Sequence, residues 1–86
     1  MILAKIKGSI VSTVKNDKLV GYKFMIVETI ENGKPTGNHM IAVDGVGAGI
    51  GEDVIITTGS SARVAIGDAN SPVDATIVGI LDEKQC

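Results

Sequence analysis

The sequence predicts a small all-β barrel with one short helix, on three observations. Five runs of Ile, Val, Leu and Ala are separated by clusters of Gly, Asn, Asp, Ser and Pro. Apolar residues make up 44% of the chain but aromatics only 2%, Tyr22 and Phe24, which suits thin aliphatic layers. Eleven glycines in 86 residues fall mostly in the connections, where curling strands need bends.

The elements follow in order. Ile2 to Ser12 reads as the first strand, with Ile2, Ala4 and Ile6 alternating with Leu3, Lys5 and Lys7. Gly8 interrupts it and predicts a bulge or sharp bend. Ser12 to Lys18 is polar and turn-like. Gly21 to Ile30 is the second strand. Phe24, Met25, Ile26 and Val27 are apolar on both faces, so both faces should be covered. Glu31 to Asn38 is expected to be a hairpin loop, with Asn32-Gly33 as its strongest signal.

His39 to Val43 is the third strand, again apolar on both faces. A glycine-rich crossover follows. Asp53 to Thr58 is the fourth strand, centred on Val54, Ile55 and Ile56. Ser60 or Ser61 is placed to cap a short helix running to about Ile66. Gly67 to Pro72 is a turn cluster, and Thr76 to Asp82 the fifth strand, also expected to be covered on both sides. Five short strands with glycine bends favour a closed or nearly closed barrel, and an OB-like barrel is the nearest standard architecture. A small sandwich is the competing arrangement. The chain reads as one domain, 1–86, without internal repeats.

Composition narrows the function classes. A domain this small buries only about 60–65% of the surface its unfolded chain exposes, and many such domains lean on disulfides, metals or partner subunits. Cys86 is the lone cysteine, which excludes an internal disulfide and suits a reducing cytoplasm. His39 is the lone histidine and has no second soft ligand near it, so no metal site is expected. Mean hydropathy is +0.31, high for so short a chain, so part of the apolar surface is expected to be covered by another subunit. Net charge is −2, which attracts neither nucleic acid nor an anionic membrane. Neither a signal peptide nor a membrane-spanning run is expected.

The crossover itself carries the most distinctive pattern: Gly45, Gly47, Gly49 and Gly51 alternate with Val46, Ala48 and Ile50 before Glu52. It is too apolar for a solvated linker and reads as a tight, partly buried passage between two strands. It is not a phosphate cradle. A G-x-G-x-x-G match begun at Gly45 ends on Ile50, and one begun at Gly47 ends on Glu52. The Gly33-Lys34 pair runs into Pro35, which excludes a P-loop.

Catalysis finds no constellation either. Ser60-Ser61 lacks the G-x-S-x-G elbow, and Asp44, Glu52, Asp53, Asp74 and Asp82 sit at strand ends and loops. No catalytic residue and no cofactor is expected. Arg63, the lone arginine, is more informative, because its planar fork suits carboxylate pairing at an interface. Asp44, Glu52 and Asp74 are the expected partners, within the chain or across a subunit boundary. The OB-like reading raises a ligand- or nucleic-acid-binding module as the alternative function. An acidic chain with two aromatics lacks the basic groove and stacking platforms that single-strand binding uses.

Several stretches together resemble one family: Gly8; Val11 to Lys15 with Leu19 and Gly21; Ala42 to Asp44; Val46 to Glu52; Gly59 to Arg63; and Pro72 to Ala75 before Ile77 to Asp82. Order and spacing are kept along nearly the whole chain. On these residues the sequence resembles the EutN/CcmL family of bacterial microcompartment vertex proteins. The resemblance implies a small OB-like barrel assembling as a cyclic pentamer, a structural rather than catalytic role in the shell, residence in the bacterial cytoplasm, and shell hexamer proteins as partners. It also accounts for the apolar excess, since a ring is built from one heterologous interface that closes on itself. A six-fold ring satisfies the same argument, because one more subunit changes each interface angle only modestly. Gly47, Ala48, Gly49, Gly51, Glu52, Ser60, Ser61 and Arg63 are the expected residues at or near that interface.

Overall fold

A computed structural model describes residues 1–10, 21–68 and 72–82. Its strands are β1 (Ile2–Ile10), β2 (Phe24–Glu31), β3 (Lys34–Asp44), β4 (Asp53–Thr58) and β5 (Ala75–Leu81), with one helix, α1 (Ser60–Ala65), between β4 and β5. They close into a barrel in the order β1-β2-β3-β5-β4. All pairings are antiparallel except β3 with β5, which is parallel and limited to Val43 opposite Thr76 and Asp44 opposite Ile77. The expected barrel is therefore the observed one, and the sandwich is not.

The aliphatic alternation builds the interior. Ala4, Ile6, Met25, Val27, Ala42, Val54, Ile56 and Ile77 are all at most 1% exposed and form one cluster. Burying each of the larger of these stabilises the fold by about 1.5–3 kcal/mol. Gly8 does mark a bulge: the β1–β2 register shifts between Ile6 and Gly8, leaving Lys7 as the extra residue. A second, smaller cluster lies outside the barrel wall, where Val43, Ala62 and Val73 meet Tyr22, Phe24 and Ile66. Both aromatics are thus packed in a structural cluster.

Three expectations change. The loop expected over Glu31 to Asn38 shrinks to the two-residue turn Asn32-Gly33, with φ of 53° and 77°. Positive φ at both positions matches the twist of the flanking strands, so they pair directly from Glu31 opposite Lys34. Residues 34–38 belong to β3, where a second register shift sets Thr29 against the stretch between Pro35 and His39. That irregularity is pinned by Thr29 Oγ1 to Thr36 Oγ1 at 2.6 Å and by the Gly37 amide donating to Glu28 Oε2 at 3.0 Å.

The helix is not capped by Ser60 or Ser61. Its N-cap is Gly59, with φ 67° and ψ −144° and no side-chain cap. Few side chains tolerate that backbone, so the chain enters the helix through glycine and the serines fall inside it. A six-residue helix is marginal by itself. This one is held by Ala62, which is fully buried, and by Thr76 Oγ1 donating to the Ala62 carbonyl at 2.9 Å.

Strand ends also move. β2 begins at Phe24, and β5 runs from Ala75 to Leu81. β4 has the expected bounds. Ser12 to Lys18, Val11 to Lys15 with Leu19, part of the Gly67 to Pro72 cluster and Cys86 lie outside the described residues.

Candidate subunit interface

The glycine crossover, residues 45–52, connects β3 to β4 and bonds to β5 and β1 on the way. It starts on β5, where the Gly45 amide donates to the Ile77 carbonyl at 3.2 Å. It ends on β1, where the Gly51 amide donates to the Ile6 carbonyl at 2.8 Å and the Ile6 amide to the Glu52 carbonyl at 3.0 Å. Between these anchors Ala48 is 1% exposed and belongs to the main core.

The side chain of Ala48 therefore anchors the loop to the barrel, while the glycines on either side of it stay at the surface.

Two carboxylates fold this loop. Asp44 Oδ1 accepts the amides of Val46 at 3.0 Å and Gly47 at 2.9 Å. Glu52 Oε1 accepts the amide of Gly49, and the Glu52 amide returns to the Gly49 carbonyl at 3.2 Å. Bonds from an ionised carboxylate to backbone amides are among the stronger hydrogen bonds. Within the subunit neither acid pairs with Arg63, and both accept local amides instead, so of the two expected arrangements only the pair across a subunit boundary stays open to them. Among the described residues no ion pair to Arg63 is found; the two that occur are Lys5 with Asp53 at 3.2 Å and Lys7 with Glu28 at 3.5 Å.

The other expected segment, Ser60, Ser61 and Arg63, lies on α1. Both serines are exposed, and Arg63 is half-buried in the last turn, where a cation suits the helix dipole. Loop and helix bear on adjacent residues of β5: Gly45 on Ile77, and Ala62 on Thr76. Gly47 and Gly51 are exposed, and Gly49 and Glu52 half-buried.

Exposed apolar side chains lie beside the expected interface residues. Val46 and Ile50 on the loop are 43% and 67% exposed, Val64 on α1 is 72% exposed, and Ile41 on β3 is 54% exposed. Ile41 lines a shallow groove of about 200 Å³ with Phe24, Val43 and residues 72–75. The signal for it was in the sequence, since β3 is apolar on both faces. The inward face holds Met40 and Ala42, and the outward face holds Ile41 and Val43. Val43 is covered by Ala62 and Val73, but Ile41 is not.

The site offers little chemistry. No group of three or more potential metal ligands occurs among the described residues, and no helix there is long and apolar enough to cross a membrane. Lys5 and Lys7 on β1 are paired with acids, and Tyr22 and Phe24 are packed in the smaller cluster, so these residues do not form a basic stacking groove.

The match to known proteins runs through the same loop and helix. The family described as ethanolamine utilisation protein EutN/carboxysome matches residues 1–82. The chain belongs to the EutN/CcmL family. Among its EutN/CcmL relatives, the bacterial microcompartment shell vertex protein GrpN of Rhodospirillum rubrum is 47% identical over 83 residues, covering 95% of this chain and 93% of GrpN. The carboxysome shell vertex protein CcmL of Gloeobacter violaceus is 41% identical over 83 residues, covering 95% of this chain and 83% of CcmL. The solved structure of the GrpN pentameric microcompartment shell protein from Rhodospirillum rubrum superposes with a TM-score of 0.90 at 42% identity, covering 100% of this chain and 99% of that one.

Proposed function

We propose that this chain is a non-catalytic structural subunit of a bacterial microcompartment shell, closing into a homopentamer that occupies a shell vertex. The observation that carries the reading is the end-to-end similarity to the GrpN pentameric shell protein, at a TM-score of 0.90 with nearly complete coverage of both chains. The apolar side chains left bare on the subunit support it, because a ring contact would cover them. Gly47, Gly49, Gly51, Glu52, Ser60, Ser61 and Arg63 lie at or near the contact in this reading, with Ala48 holding the loop in place from beneath. Shell hexamer proteins of the same compartment are the neighbours of the ring, and the bacterial cytoplasm is where it assembles.

Native mass spectrometry of the purified chain tests the proposal. The subunit weighs 8.9 kDa. The expected species has five times that mass. A chain that stays monomeric at micromolar concentration would overturn the reading, and a sixfold mass would overturn the pentamer while keeping a ring.

A further inference from the structure

The β2–β3 hairpin runs past the rest of the sheet. β1 pairs with β2 from Phe24 to Thr29, and β5 meets β3 only at Val43 and Asp44. Beyond Thr29 the hairpin is therefore a two-stranded ribbon among the described residues. Pro35 has no amide hydrogen to offer a further strand. Ile30 is the last buried side chain before the turn, and residues 31–35 are all exposed. A two-stranded ribbon in water is marginal, so this tip opens locally more readily than the closed barrel beneath it.

Asn32 and Gly33 sit at that tip. No hydrogen bond among the described residues holds the Asn32 side chain or the Gly33 amide. A Cβ at Gly33 would meet nothing within 4 Å, so the space around its nitrogen is open. Glycine also brings no side chain of its own to shield that nitrogen. A side-chain amide thus stands beside an unhindered, unbonded backbone nitrogen, on a segment able to leave its folded turn.

We infer that Asn32 is a site of spontaneous covalent modification, in which its side-chain amide is converted to a carboxylate through a cyclic imide with the Gly33 nitrogen. The Gly33 nitrogen attacks Asn32 Cγ and gives up its proton as the new N–Cγ bond forms. The Cγ–Nδ2 bond breaks, and the amide nitrogen leaves as ammonia. Water from solvent then opens the imide. Opening at Cγ leaves an aspartate with the main chain unchanged. Opening at the backbone carbonyl leaves an isoaspartate, whose main chain runs through the side-chain carbon.

The two products act differently on this hairpin. Aspartate before glycine suits a two-residue turn with positive φ as asparagine does, so that product keeps the pairing of Glu31 with Lys34 and adds one negative charge. The net charge of the chain goes from −2 to −3, one amide having become one carboxylate. Isoaspartate lengthens the main chain by a methylene at the tightest point of the ribbon, which breaks the register of Glu31 with Lys34. The conversion is thus a charge change in one branch and a change of hairpin shape in the other.

The test incubates the purified, folded full chain at mildly alkaline pH and follows it by isoelectric focusing and peptide mapping with mass spectrometry. Isoaspartate is counted by labelling with an isoaspartyl methyltransferase. Asn38 is the internal control, because it lies within β3 and is followed by His39, whose side chain crowds the attacking nitrogen. Residue 32 should convert several-fold faster than residue 38, and both acidic products should appear there. Asn32→Gln, whose longer side chain closes the imide poorly, should lose the acidic species that comes from this site. Asn32→Asp should comigrate with the aspartate product from the start and give the wild-type circular dichroism spectrum. If residue 32 keeps its amide in the folded chain while the same chain in urea converts it, the turn protects the site and the inference is overturned. Conversion of Asn38 ahead of Asn32 overturns it as well. The readout is covalent and does not depend on assembly, so a failure here leaves the vertex-ring reading untouched, and a failure of that reading leaves this one standing.

Discussion

Gly45→Ala isolates how tightly the crossover is held on the barrel. Gly45 follows β3 directly and donates its amide to the Ile77 carbonyl at 3.2 Å. A Cβ at Gly45 would lie 2.9 Å from that same oxygen and 3.3 Å from Thr76 Cγ2, where ordinary contact begins at 3.4 Å. One side must move by about 0.5 Å, taking the threshold less the approach to the oxygen. The oxygen is backbone in β5, which is paired on both sides at Ile77, with Asp44 and with Ile56. It cannot yield as a flexible side chain would. Overpacking of this kind costs about 1–3 kcal/mol, and a weakened Gly45–Ile77 bond a further ~0.5–1.5 kcal/mol. Together that is about 1.5–4.5 kcal/mol, or a fall in Tm of roughly 6–36 °C for a domain of this size. Thermal unfolding followed by circular dichroism measures it, at a fixed protomer concentration because assembly shifts apparent stability by mass action. Gly79→Ala is the control, since its Cβ would meet Ile55 Cδ1 at 3.7 Å and Ile55 Cβ at 3.9 Å, both ordinary contacts. It should be neutral or slightly stabilising. A Gly45→Ala chain as stable as the wild type would show that the loop lifts off β5 freely, and the account of a pinned crossover would be wrong.

Three further outcomes are expected. Thr76→Val keeps shape but removes the donor to the Ala62 carbonyl, so it should lower the urea-unfolding free energy by about 1–3 kcal/mol; no loss would mean that α1 does not depend on that bond. Glu52→Ala should weaken ring assembly in a dilution series while Glu52→Gln, which keeps an acceptor for the Gly49 amide, retains most of it; equal behaviour of the two would place the role in charge instead of the hydrogen bond. Arg63→Ala should lower the assembled fraction seen by native mass spectrometry and leave strand content intact, and an undiminished ring would remove Arg63 from the contact.

The hairpin turn, the Gly8 bulge and the fourth strand were legible because each depends on residues close in sequence. Asn32-Gly33 specifies its turn through backbone preference, and Val54, Ile55 and Ile56 specify a strand through their own pattern. The extent of β3 was not legible, since residues 34–38 look like a loop until paired with β2. The helix cap was missed for a related reason: two serines advertise a cap, but the backbone geometry at Gly59 moves the helix start ahead of them.

The sequence by itself determined the five strands in order, the family, and the presence of more apolar surface than one small core needs. Local propensity and hydrophobic alternation carry that information, and both can be counted along the chain. Only the tertiary structure decided which acids shape the glycine loop, that none of them is paired with Arg63 among the described residues, and that Ile41 is the uncovered position on a strand apolar on both faces. Those outcomes depend on contacts between elements far apart in sequence, as where Ile6 meets Glu52 and Thr76 meets Ala62. Alternation says which residues share a face of a strand, but what lies against that face is set by the closure of the barrel.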